Sequence, residues 1–420
     1  MVKIGILGVG TVGQSVARIL EENADIIEAR AGKKIVVKSG VVKNLSKKRE
    51  VSIKLSDNPL DIVDDEEIDI VIELMGGVDE PYKLVKRALE NGKAVVTANK
   101  ALLAYHRYEL QNIAKDLPLM YEASTAGAIP IIGALRTGLS ANHIESIQGI
   151  MNGTCNYMLT NMINNGANYD EILQKSQDLG YAEADPTFDV GGFDASHKLL
   201  ILASIAYGID AKPEDILIEG IENISQTDVA FAKEFGYEIK HLGIAKKIGD
   251  GVELRVHATL IPQSSMIAKV DGVMNAVKVV GDCVGETMFY GAGAGGDATA
   301  SAVIADIVDI VRGNQGPMLG YKKGLESGLK LLSKDEITTQ YYLRMEVNDK
   351  SGVLATITST LGEFNISIES MLQKPTDDNN IAKLLFTTHI CKESKMQEAI
   401  KTLSDLDVVH SDIAMIRIEK

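Results

Sequence analysis

The stretch KIGILGVGTVGQSVARIL, residues 3–20, decides the fold of the first part of the chain. A short β-type run leads into glycines in G-x-G-x-x-G spacing, and apolar residues then recur with the period of a helix. In this order, the first glycine allows a tight turn, the second lets a pyrophosphate approach the backbone, and the third lets helix and strand pack closely. We therefore predict a dinucleotide site at the helix N-terminus, with a turn that binds nothing as the alternative. Its predicted contacts are Gly8, Gly10, Thr11, Val12 and Gly13.

The composition of the chain narrows the class of protein. Of its 420 residues, 45% are hydrophobic and 24% are charged, and the net charge is −15. This balance argues against a nucleic-acid or anionic-membrane surface. The three cysteines are far apart in the sequence and odd in number, which suits reduced thiols. We expect a cytoplasmic protein of two or three domains that binds neither nucleic acid nor membrane.

The strands that follow predict a parallel sheet with a site at its carboxyl edge. IDIVIELMGG (68–77) and AVVTANKALLA (94–104) contain the near-continuous apolar runs of buried parallel strands. Lys100 follows the second run, where ligands of doubly wound sheets bind, and is therefore predicted to be a site lysine.

The end of the strand KIVVKSGVV (34–42) bears on the choice of cofactor. An NAD-binding protein usually places an acid there for the ribose hydroxyl. This chain instead has Lys43 and Asn44, followed by further cations at 47–49 that suit a 2′-phosphate. The pattern favours NADP, with NAD still possible, and a solvated charge run is the alternative.

The region from about 131 to 317 predicts a second, α+β domain. HLGIAKKI (241–248) and VELRVHATL (252–260) form a hairpin pattern in which Glu253, Arg255, His257 and Thr259 would face away from the buried side. YGAGAGGDATASAVIADIVDIV (290–311) is a glycine-dense loop that leads into a helix near 298–312, which we expect to pack back on the first domain. The loop is either a second wall for nicotinamide or substrate, or a plain flexible loop.

The segment GYAEADPTFDVGGFDASHKL (180–199) concentrates acids ahead of one lysine. Asp194 and Lys198 are four residues apart, on one face of a predicted helix. The pair is either a structural ion pair at a helix start or a site in which the lysine takes a hydroxyl proton as hydride leaves. Surplus acids would then bind a cationic group, which points to an amino-acid alcohol or aldehyde.

Several motifs together resemble homoserine dehydrogenase over about residues 1–320: GVGTVG, VVTANKALLA, YEASTAGAIPII, GIMNGTCNYML, GYAEADPTFDVGGFDASHKL and YGAGAG. The resemblance implies reversible NAD(P)-dependent interconversion of L-aspartate 4-semialdehyde and L-homoserine, in threonine, methionine and isoleucine biosynthesis. It implies that Lys198 is the proton donor and acceptor, with Asp194 beside it, and that Lys100 is a second essential lysine. Glu183 matches the acid that binds the substrate amino group, and Asp189 is a further substrate or supporting contact.

The same resemblance implies a structural sodium ion held largely on backbone oxygens of Glu122, Thr125, Gly127 and Ile129. Two departures from the family pattern stand out. Lys43 and Asn44 replace a more usual Arg-Asp, which leaves the cofactor preference open, and Cys155 stands where threonine is common.

The last eighty residues predict a ferredoxin-like βαββαβ unit at 339–420, after a linker at 318–338. NDKSGVLATITSTLGEFNISIESM (348–371) resembles the start of an ACT domain. This implies a sensor that pairs through its sheets and binds an amino acid, most simply L-threonine, in a homodimer or homotetramer. The candidate effector contacts are Asn348, Asp349, Gly352 and Asn365. A module that only oligomerises is the alternative.

The predicted organisation is therefore a Rossmann-like parallel domain at 1–130, a catalytic and dimerisation domain at 131–317, and the ACT domain beyond the linker. Two other functions stay open on the sequence. One is hydride transfer on a longer amino-acid aldehyde, and the other is a non-enzymatic sensor of dinucleotide and amino acid.

Overall fold

The computed structural model describes residues 1–314, 316–324, 328–375 and 380–420. The first part forms a parallel sheet in the order β3-β2-β1-β4-β5-β6. Its central strands β1, β4 and β5 are largely buried by helices on both faces, which is why they are mostly apolar. The elements are β1 Val2–Leu7, α1 Thr11–Glu22, α2 Ala24–Ala31, β2 Ile35–Val41, β3 Lys54–Ser56, α3 Leu60–Val63, β4 Ile70–Glu73, α4 Asp79–Glu90, β5 Ala94–Thr97, α5 Lys100–Ala114 and β6 Leu119–Met120.

The central region is built on a mixed sheet and returns to the first. Its long hairpin is β9–β10, and α10 crosses its face. The elements are α6 Ile131–Gly133 with a π-helical turn at Ala134–Gly138, β7 Ile144–Ile150, α7 Gly153–Asn165, α8 Tyr169–Asp178, α9 Thr187–Val190, α10 Phe193–Tyr207, β8 Leu217–Ile218, α11 Gln226–Glu234, β9 Tyr237–Ile248, β10 Gly251–Pro262, β11 Met274–Gly281, β12 Gly285–Ala292, α12 Gly296–Arg312 and β13 Lys330–Leu331.

Helix α12 packs against α1, and its buried Val303 and Ile307 share a core with Ile6 and Val16 of the parallel sheet and α1. The last helix of the central region therefore covers the dinucleotide-binding part of the molecule. Residues 325–327 of the predicted linker lie outside the described residues, and its first residues, Met318 and Leu319, are buried.

The C-terminal region has the predicted βαββαβ order, with strands arranged β18-β14-β16-β15. Its elements are β14 Thr338–Asn348, α13 Val353–Glu363, β15 Ile368–Pro375, β16 Ile381–Thr388, β17 Cys391–Lys392, α14 Glu393–Ser404 and β18 Ala414–Ile418. Strand β18 also pairs in parallel with β10, through Thr259 with Arg417 and Leu260 with Ile418. The C-terminal sheet is thus continuous with the central one.

This continuity overturns one sequence prediction. The hairpin was expected to have one solvent-exposed face, but all four polar residues of β10 are at most 1% exposed. The cause is the C-terminal strand, since Arg255 bonds to Glu253 and, at 2.5 Å, to Glu419 of the chain end. Polar and apolar residues alternate along β10 because its polar face packs against charged side chains rather than against water.

The stretch LMYEAS (119–124) has the composition of a strand, but only its first two residues form one. The strand stops at Met120, and Glu122–Ser124 form a 3₁₀ turn. The turn forms because the Glu122 carboxylate accepts the amides of Ile132 and Gly133, while its own amide donates to Asp306. Among the residues that the structure describes, no helix has the length and apolar character needed to cross a bilayer.

Candidate active site

A cleft of about 690 Å³ opens between the carboxyl edge of the parallel sheet and the central region. The glycine turn and the ends of β4 and β5 form one side, and the starts of α7 and α10 form the other. The glycine-dense strand end at 292–295 closes it, which supports its prediction as a wall. Lining residues include Val12, Met75, Lys100, Asn152, Asp194, Lys198, Asn275 and Gly293.

The glycine turn has the geometry that a pyrophosphate needs. Gly8 has φ +100°, and a Cβ on it would lie 2.7 Å from the Leu74 carbonyl oxygen. A Cβ on Gly13 would lie 2.5 Å from the Gly8 oxygen, whereas one on Gly10 would meet nothing within 4 Å. Gly10 precedes α1 without any side-chain cap, so the first-turn amides of Thr11 and Val12 face open space. The turn therefore fits a dinucleotide.

The cationic run after β2 is tied to this turn. Lys43 is exposed, directly beyond the strand end. Arg49 donates from Nε to the Val9 carbonyl at 2.9 Å and from Nη1 to the Asn44 carbonyl at 2.9 Å. Arg49 thus ties the end of the run to the glycine turn, while Lys43, Lys47 and Lys48 are exposed to solvent.

The predicted pair on α10 forms the centre of the cleft. Asp194 lies in the first turn of α10, and Lys198 Nζ donates to its Oδ2 at 2.7 Å and to the Met151 carbonyl at 2.6 Å. Lys100 Nζ lies 2.9 Å from the other oxygen, Oδ1. Asn152 Nδ2 bridges the Asp194 and Asp189 carboxylates at 2.9 and 2.8 Å. The structure therefore brings together four of the predicted site residues, from distant parts of the chain.

The two carboxylates of this cluster differ in their electrostatics. Burial by itself would raise the pKa of Asp194, but Lys198 and Lys100 together hold it well below its ordinary value. Burial raises the pKa of Asp189, against the effect of the Asn152 hydrogen bond. Asp194 is consequently a permanent anion. The hydrogen bonds of Lys198 to Asp194 and to the Met151 carbonyl occupy two of its three N–H groups, which leaves one donor for a ligand.

Sequence reasoning missed the network that positions Lys100. Asn99 caps α5, because its side-chain Oδ1 accepts the Leu102 amide at 3.0 Å. Its backbone amide donates to Thr97 Oγ1. Thr97 in turn donates to Glu73 at 2.5 Å. Glu73 is fully buried, and burial raises its pKa to about 7. The available signal was a lone acid ending an otherwise apolar strand.

The structure does not bring Glu183 into the cleft. Its side chain is exposed on the connection between α8 and α9, two residues beyond the cleft-lining Tyr181. Its carbonyl accepts from Gln177 Nε2 at 3.1 Å. Glu183 therefore lies at the rim, and only a movement of the connection would bring it to a substrate.

The predicted sodium segment forms part of the cleft wall, through Ser124, Ala126 and Gly127. Thr125 is fully buried, Gly127 lines the cleft against Gly293, and the Ile129 carbonyl accepts the Ile131 amide at 2.8 Å. The Glu122 carboxylate is already occupied by two amides, and burial raises its pKa. No cluster of three acidic, histidine or cysteine side chains suited to a metal occurs in the described part of the chain. Any cation here would therefore rest on carbonyl oxygens, which suit a hard ion.

The candidate effector residues do not form one cluster. Asn348 is within hydrogen-bond reach of His410, at 2.7 Å, and Asp349 accepts from Gln373 Nε2 at 3.2 Å near the start of α13, where Gly352 has φ +93°. Asn365 lies beyond the other end of this 11-residue helix, about 16 Å away. The first three are neighbours, and Asn365 is separate from them.

The fold and the cleft define a nicotinamide-dependent oxidoreductase, because a dinucleotide turn faces a lysine–aspartate pair across one cavity. The family models described as homoserine dehydrogenase and as homoserine dehydrogenase, NAD binding domain, match residues 130–308 and 8–117. A model of the ACT domain matches residues 341–408. The chain belongs to the homoserine dehydrogenase family.

Individual relatives cover the whole chain. Homoserine dehydrogenase of Helicobacter pylori is 53% identical over 416 residues, which is 99% of this chain and 98% of that protein. The crystal structure of a homoserine dehydrogenase from Thiobacillus denitrificans matches with a TM-score of 0.95 at 45% identity, over 100% of this chain and 98% of that one. A hyperthermophilic archaeal homoserine dehydrogenase in complex with NADPH matches with a TM-score of 0.63 at 27% identity, over 73% of this chain and 97% of that one. The chain is accordingly an oxidoreductase that interconverts L-homoserine and L-aspartate 4-semialdehyde with a nicotinamide cofactor.

Proposed function

We propose that Lys198 moves the proton in this reaction. The observation that carries the proposal is the hydrogen bond of Lys198 to Asp194 inside the cleft. A nicotinamide cofactor, held at the glycine turn Gly8–Gly13, would supply the hydride acceptor for the hydroxyl-bearing carbon of homoserine. As that carbon becomes a carbonyl, the hydroxyl proton passes to the Lys198 amine, and in the reverse direction the ammonium returns it. Asp194 orients Lys198 and stabilises the ammonium that forms. Lys100, on the other side of Asp194, stabilises negative charge on the reacting oxygen.

The substrate amino group is proposed to meet the acids at the rim. Asp189 lines the cleft and shares Asn152 with Asp194, which supports a direct contact or a supporting role. Glu183 takes the ammonium once the connection between α8 and α9 moves inward. Homoserine is preferred over a longer amino alcohol because Asp189, the acid inside the cleft, shares Asn152 with Asp194, the partner of Lys198.

The experiment that tests this function is initial-rate kinetics with both cofactors. We expect turnover of L-homoserine and L-aspartate 4-semialdehyde, a lower KM for NADPH than for NADH, and inhibition by L-threonine. A longer amino-acid aldehyde that reacts faster would favour the competing substrate class. Complete absence of turnover would favour a sensor of dinucleotide and amino acid.

The proposed preference for NADP gives a sharper prediction. Lys43→Ala should raise the KM for NADPH by about 10-fold, because an ion pair with the 2′-phosphate is lost, and should leave the KM for NADH unchanged. Steady-state kinetics with both cofactors measure this. Lys34→Ala is the matched control, since Lys34 is also exposed but lies before the amino end of β2. Equal changes for both cofactors would contradict the assignment.

The ACT domain is proposed to carry feedback control by L-threonine, with Asn348, Asp349 and Gly352 at the effector site and Asn365 at a more distant contact. Assembly as a homodimer or homotetramer is supported by two edge strands, β12 and β15, whose exposed side chains include Tyr290 and Met371. A sodium ion on the carbonyls of Glu122, Thr125, Gly127 and Ile129 is proposed as structural. A cytoplasmic location suits the three free thiols.

A further inference from the structure

Asn275, the second residue of β11, is a buried amide with no partner in the protein. It is 1% exposed and lines the cleft that contains Lys198. Neither its Oδ1 nor its Nδ2 makes a hydrogen bond. Among the residues that the structure describes, no other buried side chain has both of its polar atoms unpartnered.

Such a side chain is costly unless a ligand completes it. A carboxamide has two N–H donors and two acceptor lone pairs, and buried polar groups are almost always satisfied. An aliphatic residue of the same size would fill this position without that cost. The retained amide is therefore better explained by a ligand than by packing.

Two glycines at the wall of the cleft lie next to this amide. A Cβ on Gly293 would lie 2.1 Å from Nδ2, so only glycine leaves room for the side chain there. A Cβ on Gly153 would lie 3.7 Å from Oδ1. Both glycines line the same cleft as Asn275. The glycines therefore leave room for the amide at the wall of the cleft.

The start of α7 indicates the charge of the group that would bind. Gly153 is the first residue of this 13-residue helix, and Asn152 caps it by accepting the Cys155 amide at 2.8 Å. Gly153 and Thr154, in the first turn of α7, line the cleft, and a helix N-terminus favours an anion. An amide donor beside a helix N-terminus suits a carboxylate, and homoserine carries one.

We propose that Asn275 is a specificity-determining residue that donates from Nδ2 to the α-carboxylate of the substrate, together with the first amides of α7. The inference rests on the proposed function, since it needs homoserine or its aldehyde in this cleft. It places the α-carboxylate at the β11–α7 side and the reacting oxygen at Lys198. Recognition of the carboxylate would separate amino-acid alcohols from simple amino alcohols.

The test compares Asn275→Leu with the wild type in homoserine oxidation. We expect the KM for L-homoserine to rise by about 10-fold to 100-fold, from loss of a charge-assisted hydrogen bond, with the KM for NADP unchanged. The inhibition constant of 3-aminopropan-1-ol, which is homoserine without its carboxylate, should be the same for both proteins. The melting temperature should not fall, because the folded protein loses no hydrogen bond of its own.

The matched control is Asn156→Ala, which removes a buried amide with a structural role. Asn156 Nδ2 donates to the Val270 and Met274 carbonyls, both at 3.1 Å, so its loss should lower the melting temperature and leave the KM for homoserine unchanged. The proposal is overturned if Asn275→Leu leaves the KM for homoserine unchanged or raises the KM for NADP instead. It is also overturned if the variant weakens inhibition by 3-aminopropan-1-ol to the same extent, or only lowers the melting temperature. A wild-type protein without homoserine turnover would refute the proposed function itself, together with this inference.

Discussion

Replacing Lys198 by methionine is expected to lower kcat for homoserine oxidation by about 10³-fold, or about 4 kcal/mol of activation free energy. Methionine keeps most of the side-chain volume but removes the amine that we propose takes the hydroxyl proton. The affinity for NADPH should stay within about 2-fold, because the glycine turn and the first turn of α1 hold the dinucleotide. Stopped-flow measurement of hydride transfer and a fluorescence titration with NADPH check the two parts.

The control for this variant is Lys175→Met, on the exposed face of α8, which should behave as the wild type. Lys100→Met is the informative companion. If Lys100 only stabilises charge, Lys100→Met should retain a measurable proton-transfer step. Lys198→Met should lose that step. A decrease in kcat of less than about 10-fold for Lys198→Met would transfer the acid–base role to Lys100.

The parts of the site that the sequence predicts are those defined by short spacings. The glycine turn and the pair Asp194–Lys198 each depend on residues that are close in sequence, and the structure gathers both around one cleft. The Met151 carbonyl and the Asn152 amide escape such reasoning because they meet Lys198 and Asp194 from 47 and 42 residues away. No local pattern distinguishes that asparagine from an ordinary helix cap, which it also is.

The same limit explains the error on β10. Alternating polar residues in a strand usually mean a solvent-exposed face, and nothing within the hairpin contradicts that interpretation. Arg255 bonds to Glu419, and Thr259 is paired with Arg417 of β18. Both partners lie more than one hundred and fifty residues later in the chain. A polar face can therefore be buried when a distant strand brings the opposite charges to it.

Arg417, in the last strand of the ACT domain, makes the interface with the central region sensitive to one substitution. Its guanidinium bonds to Glu393 of α14 at 2.8 and 2.6 Å and to Glu219, after β8, at 2.7 and 2.8 Å. Arg417→Met should lower the free energy of unfolding by about 3–5 kcal/mol, because it leaves the Glu393 charge buried without its cation. Urea denaturation, followed by far-ultraviolet circular dichroism, measures the loss.

The pH dependence of stability separates this explanation from a simple loss of packing. In the wild type, burial would raise the pKa of Glu393, but the hydrogen bonds of Arg417 hold it below its usual value. This contribution to stability is therefore present above the ordinary pKa of glutamate and disappears as the pH falls through the folded-state pKa. In Arg417→Met the buried carboxyl should have a raised pKa, so its penalty should be relieved as the pH falls. Parallel pH profiles for the two proteins would contradict the assignment.

Glu219 also links this interface to the reacting helix. Its carbonyl is within hydrogen-bond reach of His241 Nε2, at 3.1 Å, and a Cβ on Gly192, the residue before α10, would lie 3.1 Å from the same carbonyl oxygen. Under the proposed control by L-threonine, Arg417→Met should therefore weaken the response of kcat to this effector, in addition to destabilising the protein. Glu219→Gln is the milder control, because the Glu219 side chain is 41% exposed and the substitution leaves Glu393 paired with Arg417. A full response to threonine in the arginine variant, at a urea concentration where it is still folded, would show that the effector acts by another route.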